Sequence, residues 1–245
     1  MEWADEGIVL SVRPYGETSA IVEALTHLHG RHLGLVHGGA SRKVRAMLQP
    51  GNLLHITWRA RLNEHLGSFH AEPLRVRAGA VLERRDALIG LNAFAAMAGT
   101  VLPEREAHVG VYGAAEVLLD AIAERDFAHW APLYVRWEAG LLEELGFGLD
   151  LSRCAATGSI DDLIYVSPRS GRAVSGDAGA PYADRLLKLP AFLLGSQNAG
   201  PSASEILEGL KLTAYFLLER VLQPHGKDLP QSRIRLQELA ARESM

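Results

Sequence analysis

The residues best equipped for chemistry are histidines. Four of them, His27, His29, His32 and His37, fall close together. On a strand His27 and His29 share one face, and His32 could join them across a turn, which invites a metal-ion reading. No cysteine or paired carboxylate completes a ligand set there, so surface histidines beside a hairpin are the expectation. The single cysteine, Cys154, is followed by Ala155, Ala156, Thr157 and Gly158 without a second thiol, and reads as a plain cysteine. Asp161-Asp162 and Glu143-Glu144 are adjacent, so on a strand or a helix the side chains of each pair diverge and make no acid–base couple. The patterns G-x-x-x-x-G-K-S/T, G-x-S-x-G, H-E-x-x-H and G-x-G-x-x-G are all absent. The usual nucleotide, hydrolase and dinucleotide signals are therefore missing. The expectation is a protein that is not an enzyme and carries no cofactor.

A binding surface remains. The net charge of −4 hides an asymmetry. Residues 31–77 carry eight cations (Arg31, Arg42, Lys43, Arg45, Arg59, Arg61, Arg75 and Arg77) against Glu64 and Glu72, a balance of +6. From residue 86 onward the count is 14 cations against 21 anions, a balance of −7. Seven of the ten histidines also lie in the first 70 residues and would add to the positive field at lower pH. A locally basic segment on an acidic chain points to a polyanionic partner for that segment. Candidate phosphate contacts are Arg31, Arg42, Lys43, Arg45, Arg59 and Arg61, with Tyr15, Trp58 and Phe69 as possible base-stacking rings. Trp58 shares a strand face with Leu54 and Ile56, which favours the core for it. The competing class is a protein-interaction adaptor that binds no DNA. A hydrolase using the N-terminal histidines ranks third.

The elements that must position these groups change character along the chain. In residues 1–78, Ile8, Leu10 and Val12 alternate, as do Ile21, Glu23 and Leu25 against Val22 and Ala24, and Leu54, Ile56 and Trp58 against their neighbours. His29-Gly30 supplies a hairpin turn, and a loop from Gly38-Gly39 to Pro50-Gly51-Asn52 holds Arg42, Lys43 and Arg45. About five short strands suit a small closed barrel, OB-like or SH3-like. After Arg77 the period becomes helical. Leu88, Leu91, Ala95, Ala98 and Leu102 form one stripe, and Val111, Ala115, Leu118 and Ile122 a second. Leu133, Trp137, Leu141 and Leu145 form a third, after a Pro132 expected in a first turn. Ser202-Ala-Ser-Glu205 is a capping box opening a long helix that Pro224 stops, and a last helix covers roughly 229–240. Residues 150–182, rich in Gly, Ser, Asp and Pro around Leu163 to Val166, read as a hairpin-bearing insert. The division is a barrel domain over 1–78 and a helical domain over 79–245. No run approaches the length of a membrane helix, the first residues lack an apolar secretory segment, and one cysteine suits a reducing compartment, so the cytoplasm is expected.

Several segments, taken in order, carry a family likeness. Glu6-Gly-Ile-Val-Leu10, Tyr15-Gly-Glu-Thr18, Leu25-Thr with His29-Gly-Arg31, and Leu48-Gln-Pro-Gly51 are followed by Leu141-Leu-Glu-Glu-Leu-Gly-Phe-Gly-Leu-Asp-Leu151 with Cys154. Tyr165-Val-Ser-Pro-Arg-Ser-Gly171 and Leu189-Pro190 complete the set. This ordered set resembles the bacterial RecO family of DNA repair proteins. The resemblance implies an α+β protein, with an N-terminal OB-fold β-barrel followed by an all-α helical domain bearing a small zinc-finger-like insert. It implies a recombination mediator that binds single- and double-stranded DNA and promotes strand annealing. Such a protein acts with RecR to load recombinase on coated strands, and binds the C-terminal tail of single-stranded-DNA-binding protein. It also implies a bacterial cytoplasm and a place at the nucleoid. Some relatives carry a four-cysteine zinc module in the insert. Here only Cys154 occupies that pattern, so zinc is not expected, and Leu163, Tyr165 and Val166 would have to hold the insert by packing.

Overall fold

The computed structural model describes residues 1–62, 64–195 and 200–245. The chain divides into two compact units, Met1–Glu124 and Arg125–Met245.

In the first unit, β1 (Glu2–Tyr15), β2 (Ser19–Thr26), β3 (Gly30–Val36), β4 (Leu53–Arg59) and β5 (Ser68–Arg75) close into a barrel in the order β1-β2-β3-β5-β4. The long β1 pairs with β4 from Glu2 to Ile8 and with β2 from Gly7 to Tyr15, and its register slips between Val9 and Ser11. Such a slip bends a strand enough to serve two neighbours. A parallel contact between Leu35 and Ser68 completes the closure. A short helix, α1 (Arg42–Met47), lies between β3 and β4. This is the OB-fold barrel that the resemblance implies, and it sets aside the SH3-like alternative. The segment expected as an unbroken loop from residue 38 to 52 thus contains a helix.

The alternation in the sequence marks the barrel interior. Val22 and Ala24 join Val9, Val36, Leu54, Ile56, Trp58 and Phe69 in one core cluster. Trp58 is 1% exposed and its indole N–H donates to the Leu66 carbonyl at 3.0 Å, so it is a core residue, as is Phe69. β1 departs from simple alternation: Ile8, Val9 and Leu10 are all buried. Its outer face is covered in turn, because α3 (Arg85–Val101) packs on it. The His29-Gly30 turn falls where expected, with Gly30 at φ +67°. A Cβ on Gly30 would stand 1.9 Å from the Glu106 carbonyl oxygen, so close backbone approach demands glycine as firmly as the dihedral does.

The barrel ends at Arg75, but the compact unit continues through α2 (Ala78–Leu82), α3 and α4 (Val109–Glu124). A division after residue 78 therefore separates barrel from helices, not one compact unit from the other. Val111, Ala115, Leu118 and Ile122 of α4 are all buried. In α3 the buried stripe is Ala87, Leu91, Phe94, Met97 and Ala98, with Leu88 and Ala95 at its margin.

The second unit is built on α5 (Phe127–Glu144), α7 (Ala203–Phe216) and α8 (Gln231–Glu243). Asp126 caps α5 by accepting from the His129 amide, which places Pro132 in the second turn rather than the first. Its missing N–H there leaves the Ala128 carbonyl without its helical donor. The capping box at Ser202 and Glu205 is formed on both sides. Beyond α7 the helix continues as a π-helical turn over Leu217–Leu222. The insert holds β6 (Leu163–Val166), β7 (Ala173–Ser175), a one-turn α6 (Gly176–Gly179) and β8 (Leu187–Lys188), with sheet order β7-β6-β8. Leu163, Tyr165 and Val166 are buried.

At the centre of this unit Glu138 and Arg233 are both fully enclosed and joined by two bonds of 2.6 and 2.8 Å. Thr213 donates its hydroxyl to Glu138 at 2.5 Å, and Arg233 also donates to the Leu210 carbonyl at 2.7 Å. The pair ties α5, α7 and α8 together. Removing one partner strands a buried charge, so Glu138→Ala is expected to cost about 3–5 kcal/mol in urea unfolding of the full chain. Replacing both with apolar residues of similar volume should recover most of that loss.

Candidate nucleic-acid interface

The three cations at residues 42–45 owe their display to the way α1 docks. Val44, Met47 and Leu48 pack against the barrel core, so the helical repeat turns Arg42, Lys43 and Arg45 into solvent. No Asp or Glu lies within ion-pair distance of any of the three among the described residues. The helix is only six residues long and cannot hold itself together. Asn52 holds it. This buried side chain donates to the Ala46 and Met47 carbonyls at 3.3 and 2.9 Å and accepts from the Arg77 and Ala78 amides at 2.9 and 3.1 Å. No sequence motif marks it.

Beside α1 runs a groove of about 330 Å³, walled by Val12, Pro14 and Ser19 of the β1–β2 hairpin and by Gly39, Arg45 and Gln49. The hairpin tip meets the loop before α1 through a bond from the Ala40 amide to the Thr18 carbonyl at 3.0 Å. Tyr15, 56% exposed, stands at that tip, and the exposed Arg13 precedes it. Arg13 lies outside the counted basic segment. Its signal was the strand alternation, which turns Val12 toward the barrel and Arg13 away. Across the outer surface the register aligns Arg13, Ile21, Leu35 and Ser68 in one row.

The other predicted cations divide sharply. Arg31 is half-buried, its guanidinium held by Glu23 at 2.5 Å and by the Leu102 carbonyl at 2.8 Å, so it is removed from the contact set. Arg59 is exposed but bonded to Glu2 at 2.8 Å, which raises its pKa above the ordinary arginine value. Arg61 is exposed, with no ion pair among the described residues, in the connection that follows β4. That connection adjoins the end of β3, where the Leu35 amide donates to the Gly67 carbonyl at 3.0 Å. Arg75 and Arg77 both bind Asp120 of α4, Arg77 at 2.7 Å, and so add little to an external field. Trp58 and Phe69 are core residues, which leaves Tyr15 as the stacking candidate.

The histidines do other work. His29 bonds to the buried Asp5 at 3.0 Å and stacks on Trp3 with ring centroids 4.1 Å apart. Trp58 lies 5.6 Å from the ring centre of Trp3 and also stacks on it, so in the cavity lined by Trp3, His29, His32 and Arg105 the Trp3 ring is already engaged by two others. His32 is buried, and that burial depresses its pKa below the usual histidine range. Among the described residues no group of three His, Cys, Asp or Glu side chains could hold a metal ion. Around Cys154 stand the hydroxyls of Ser175, at 3.4 Å, and Thr157. Neutral hydroxyls are poor partners for zinc, so a four-thiolate site does not fit the residues present.

The family description "Recombination protein O N terminal" matches residues 1–77, and "Recombination protein O C terminal" matches residues 82–229. The chain belongs to the RecO family. A DNA repair protein RecO of Cereibacter sphaeroides is 55% identical over 244 residues, covering 99% of this chain and 100% of that one. Its counterpart in Rhodospirillum rubrum is 52% identical over 97% of this chain and 96% of its own. That of Xanthobacter autotrophicus is 52% identical over 95% and 94%. The break between the two RecO matches falls just after the barrel, at the short α2.

Two outcomes test how the interface is held. Asn52→Ala orphans two carbonyls and two amides at once and should cost roughly 2–4 kcal/mol, read from urea midpoints. Asp120 sits below its ordinary carboxylate pKa: partial burial opposes its ionisation, but the bonds from Arg75 and Arg77 outweigh that. Its contribution is then complete above about pH 4 and lost as pH falls through the depressed folded value. Asp120→Asn should accordingly be less stable at neutral pH and show a shallower loss of stability on acidification.

Proposed function

We propose that this chain is a non-enzymatic DNA repair protein that binds single- and double-stranded DNA through α1 and the neighbouring β1–β2 hairpin and promotes annealing of complementary strands. The observation that carries this reading is the trio Arg42, Lys43 and Arg45, solvent-facing and without ion pairs among the described residues, on a helix docked beside a groove. Arg13 and Arg61 extend the positive surface, and Tyr15 offers a ring for a base. Family membership supports the repair setting, since the relatives are DNA repair proteins.

The chemistry asks little else of the protein. Annealing runs downhill, and what opposes it is repulsion between two phosphate backbones. Cations that replace condensed counterions on each strand offset that repulsion without a nucleotide cofactor. Contacts of this kind position the backbone and carry no sequence preference.

The family supports two protein partners, RecR and the acidic, hydrophobic-ended tail of single-stranded-DNA-binding protein. In the second unit a groove of about 380 Å³ is lined by Leu149, Leu151, Phe192 and Leu193, with Arg136 in its wall. Apolar walls beside a guanidinium suit such a tail. The bacterial cytoplasm, at the nucleoid, is the compartment that follows.

Replacing Arg42, Lys43 and Arg45 together by glutamate tests the reading. Binding of a labelled oligonucleotide should weaken at least about tenfold, and the slope of log affinity against log salt should fall by roughly three. Annealing without ATP should slow in parallel. Unchanged affinity would remove α1 from the interface, and no saturable binding by the unaltered chain would favour the adaptor reading.

A further inference from the structure

The second unit is acidic as a whole, yet three of its arginines converge on one turn. Residues 167–172 join β6 to β7. The Ser167 amide donates to the Arg172 carbonyl at 2.9 Å and the Gly171 amide to the Ser167 carbonyl at 2.8 Å, with Gly171 at φ +72°. Arg220 reaches the turn from outside it. Its guanidinium donates to the Arg169 carbonyl at 3.4 Å and lies 4.5 Å over the Phe216 ring. A Cβ on Gly171 would stand 3.0 Å from that guanidinium, so glycine leaves the space it occupies. Arg172 pairs with Asp150 at 3.2 Å, both partly exposed. Asp150 is the one carboxylate within ion-pair distance of the three arginines among the described residues.

Three cations brought to one turn against a single carboxylate leave it net positive, and an isolated turn gains nothing from that excess. Two features indicate that the gathering is built. Arg220 is delivered by the π-helical turn Leu217–Leu222, a rare geometry that is frequent at functional sites. Its stacking on Phe216 also fixes the side chain in advance, so little rotamer freedom is left to lose on binding. The exposed side chains of the turn itself are Arg169 and Ser170, a guanidinium and a hydroxyl. Those groups bond phosphate oxygens, and they supply no apolar floor for a peptide.

We propose that the turn 167–172 with Arg220 is a second strand-binding site, taking the phosphodiester backbone of nucleic acid. It shares with the α1 reading only the class of ligand and uses residues of the other compact unit. A chain with two such sites can hold two strands, and the second then pairs at the effective concentration set by its tether rather than at its bulk concentration.

The experiment uses the full chain, with Arg169→Glu as the main variant, since Arg169 is exposed and its side chain has no ion pair among the described residues. Arg169→Glu/Arg172→Gln is the second variant, and circular dichroism and melting confirm the fold of each. Annealing of complementary oligonucleotides should slow roughly fivefold in Arg169→Glu, and affinity for one short single strand should change less than about twofold. In the chain already reversed at residues 42, 43 and 45, residual salt-sensitive binding should remain and should vanish when Arg169→Glu is added. Annealing at the original rate in both turn variants would overturn the proposal. So would absent residual binding in the α1-reversed chain, or loss of binding to a polyglutamate probe with DNA binding intact, which would make the ligand an acidic peptide. If instead Arg169→Glu abolishes DNA binding while the α1 reversal leaves it intact, the turn stands and the α1 reading fails.

Discussion

One buried amide holds the candidate DNA surface in place. Asn52 stands where α1, the barrel and the exit from β5 meet, with donors committed to the end of α1 and its acceptor to the Arg77 and Ala78 amides. Its own carbonyl accepts from the Val9 amide in the middle of β1. A six-residue helix has too few internal bonds to outweigh its nucleation cost, so its geometry is borrowed from that amide and from Val44, Met47 and Leu48. Through this chain of support, a neutral side chain decides where three positive charges point.

These cations fall into two populations distinguished by what surrounds them. Arg31, Arg77 and Arg233 are tied to Glu23, Asp120 and Glu138 respectively, and act as internal cross-links between elements. Arg42, Lys43, Arg45 and Arg61 have no such partner among the described residues and face water. Buried pairs feel little salt, whereas exposed cations are screened over about 8–10 Å at physiological ionic strength. Only exposed cations of the second kind can make binding salt-sensitive. The basic character counted along residues 31–77 therefore contracts, in space, to α1 and its surroundings.

Much of this is legible in the sequence. Alternation over Val22, Ala24, Leu54, Ile56 and Trp58 marks the barrel interior, since a strand presents the same face every second residue. The Ser202 capping box and the 3.6-residue stripes mark helices for the same kind of reason. What stayed hidden depends on contacts distant in sequence. In the sequence Arg31 reads as free because Glu23 and Leu102 reach it only through the fold, and Arg75 and Arg77 because Asp120 lies on a later helix. The short α1 was hidden by the glycines before it and by too few residues to show a period. The π-helical turn is equally silent, because its sequence differs in no obvious way from that of an ordinary helix.

Closure of the barrel has a consequence for how such a protein can change over evolutionary time. The strands are paired in a ring, although the β3–β5 seam is joined only at Leu35 and Ser68, so most of the backbone is already committed and little is left for a partner to extend the sheet. Recognition by the barrel then falls mainly to side chains on its connections: the β1–β2 tip, the segment carrying α1 and the stretch after β4. These pieces can lengthen, shorten or trade charge without disturbing the ladder beneath them. The barrel is thus a fixed chassis whose ligand preference can be retuned one loop at a time.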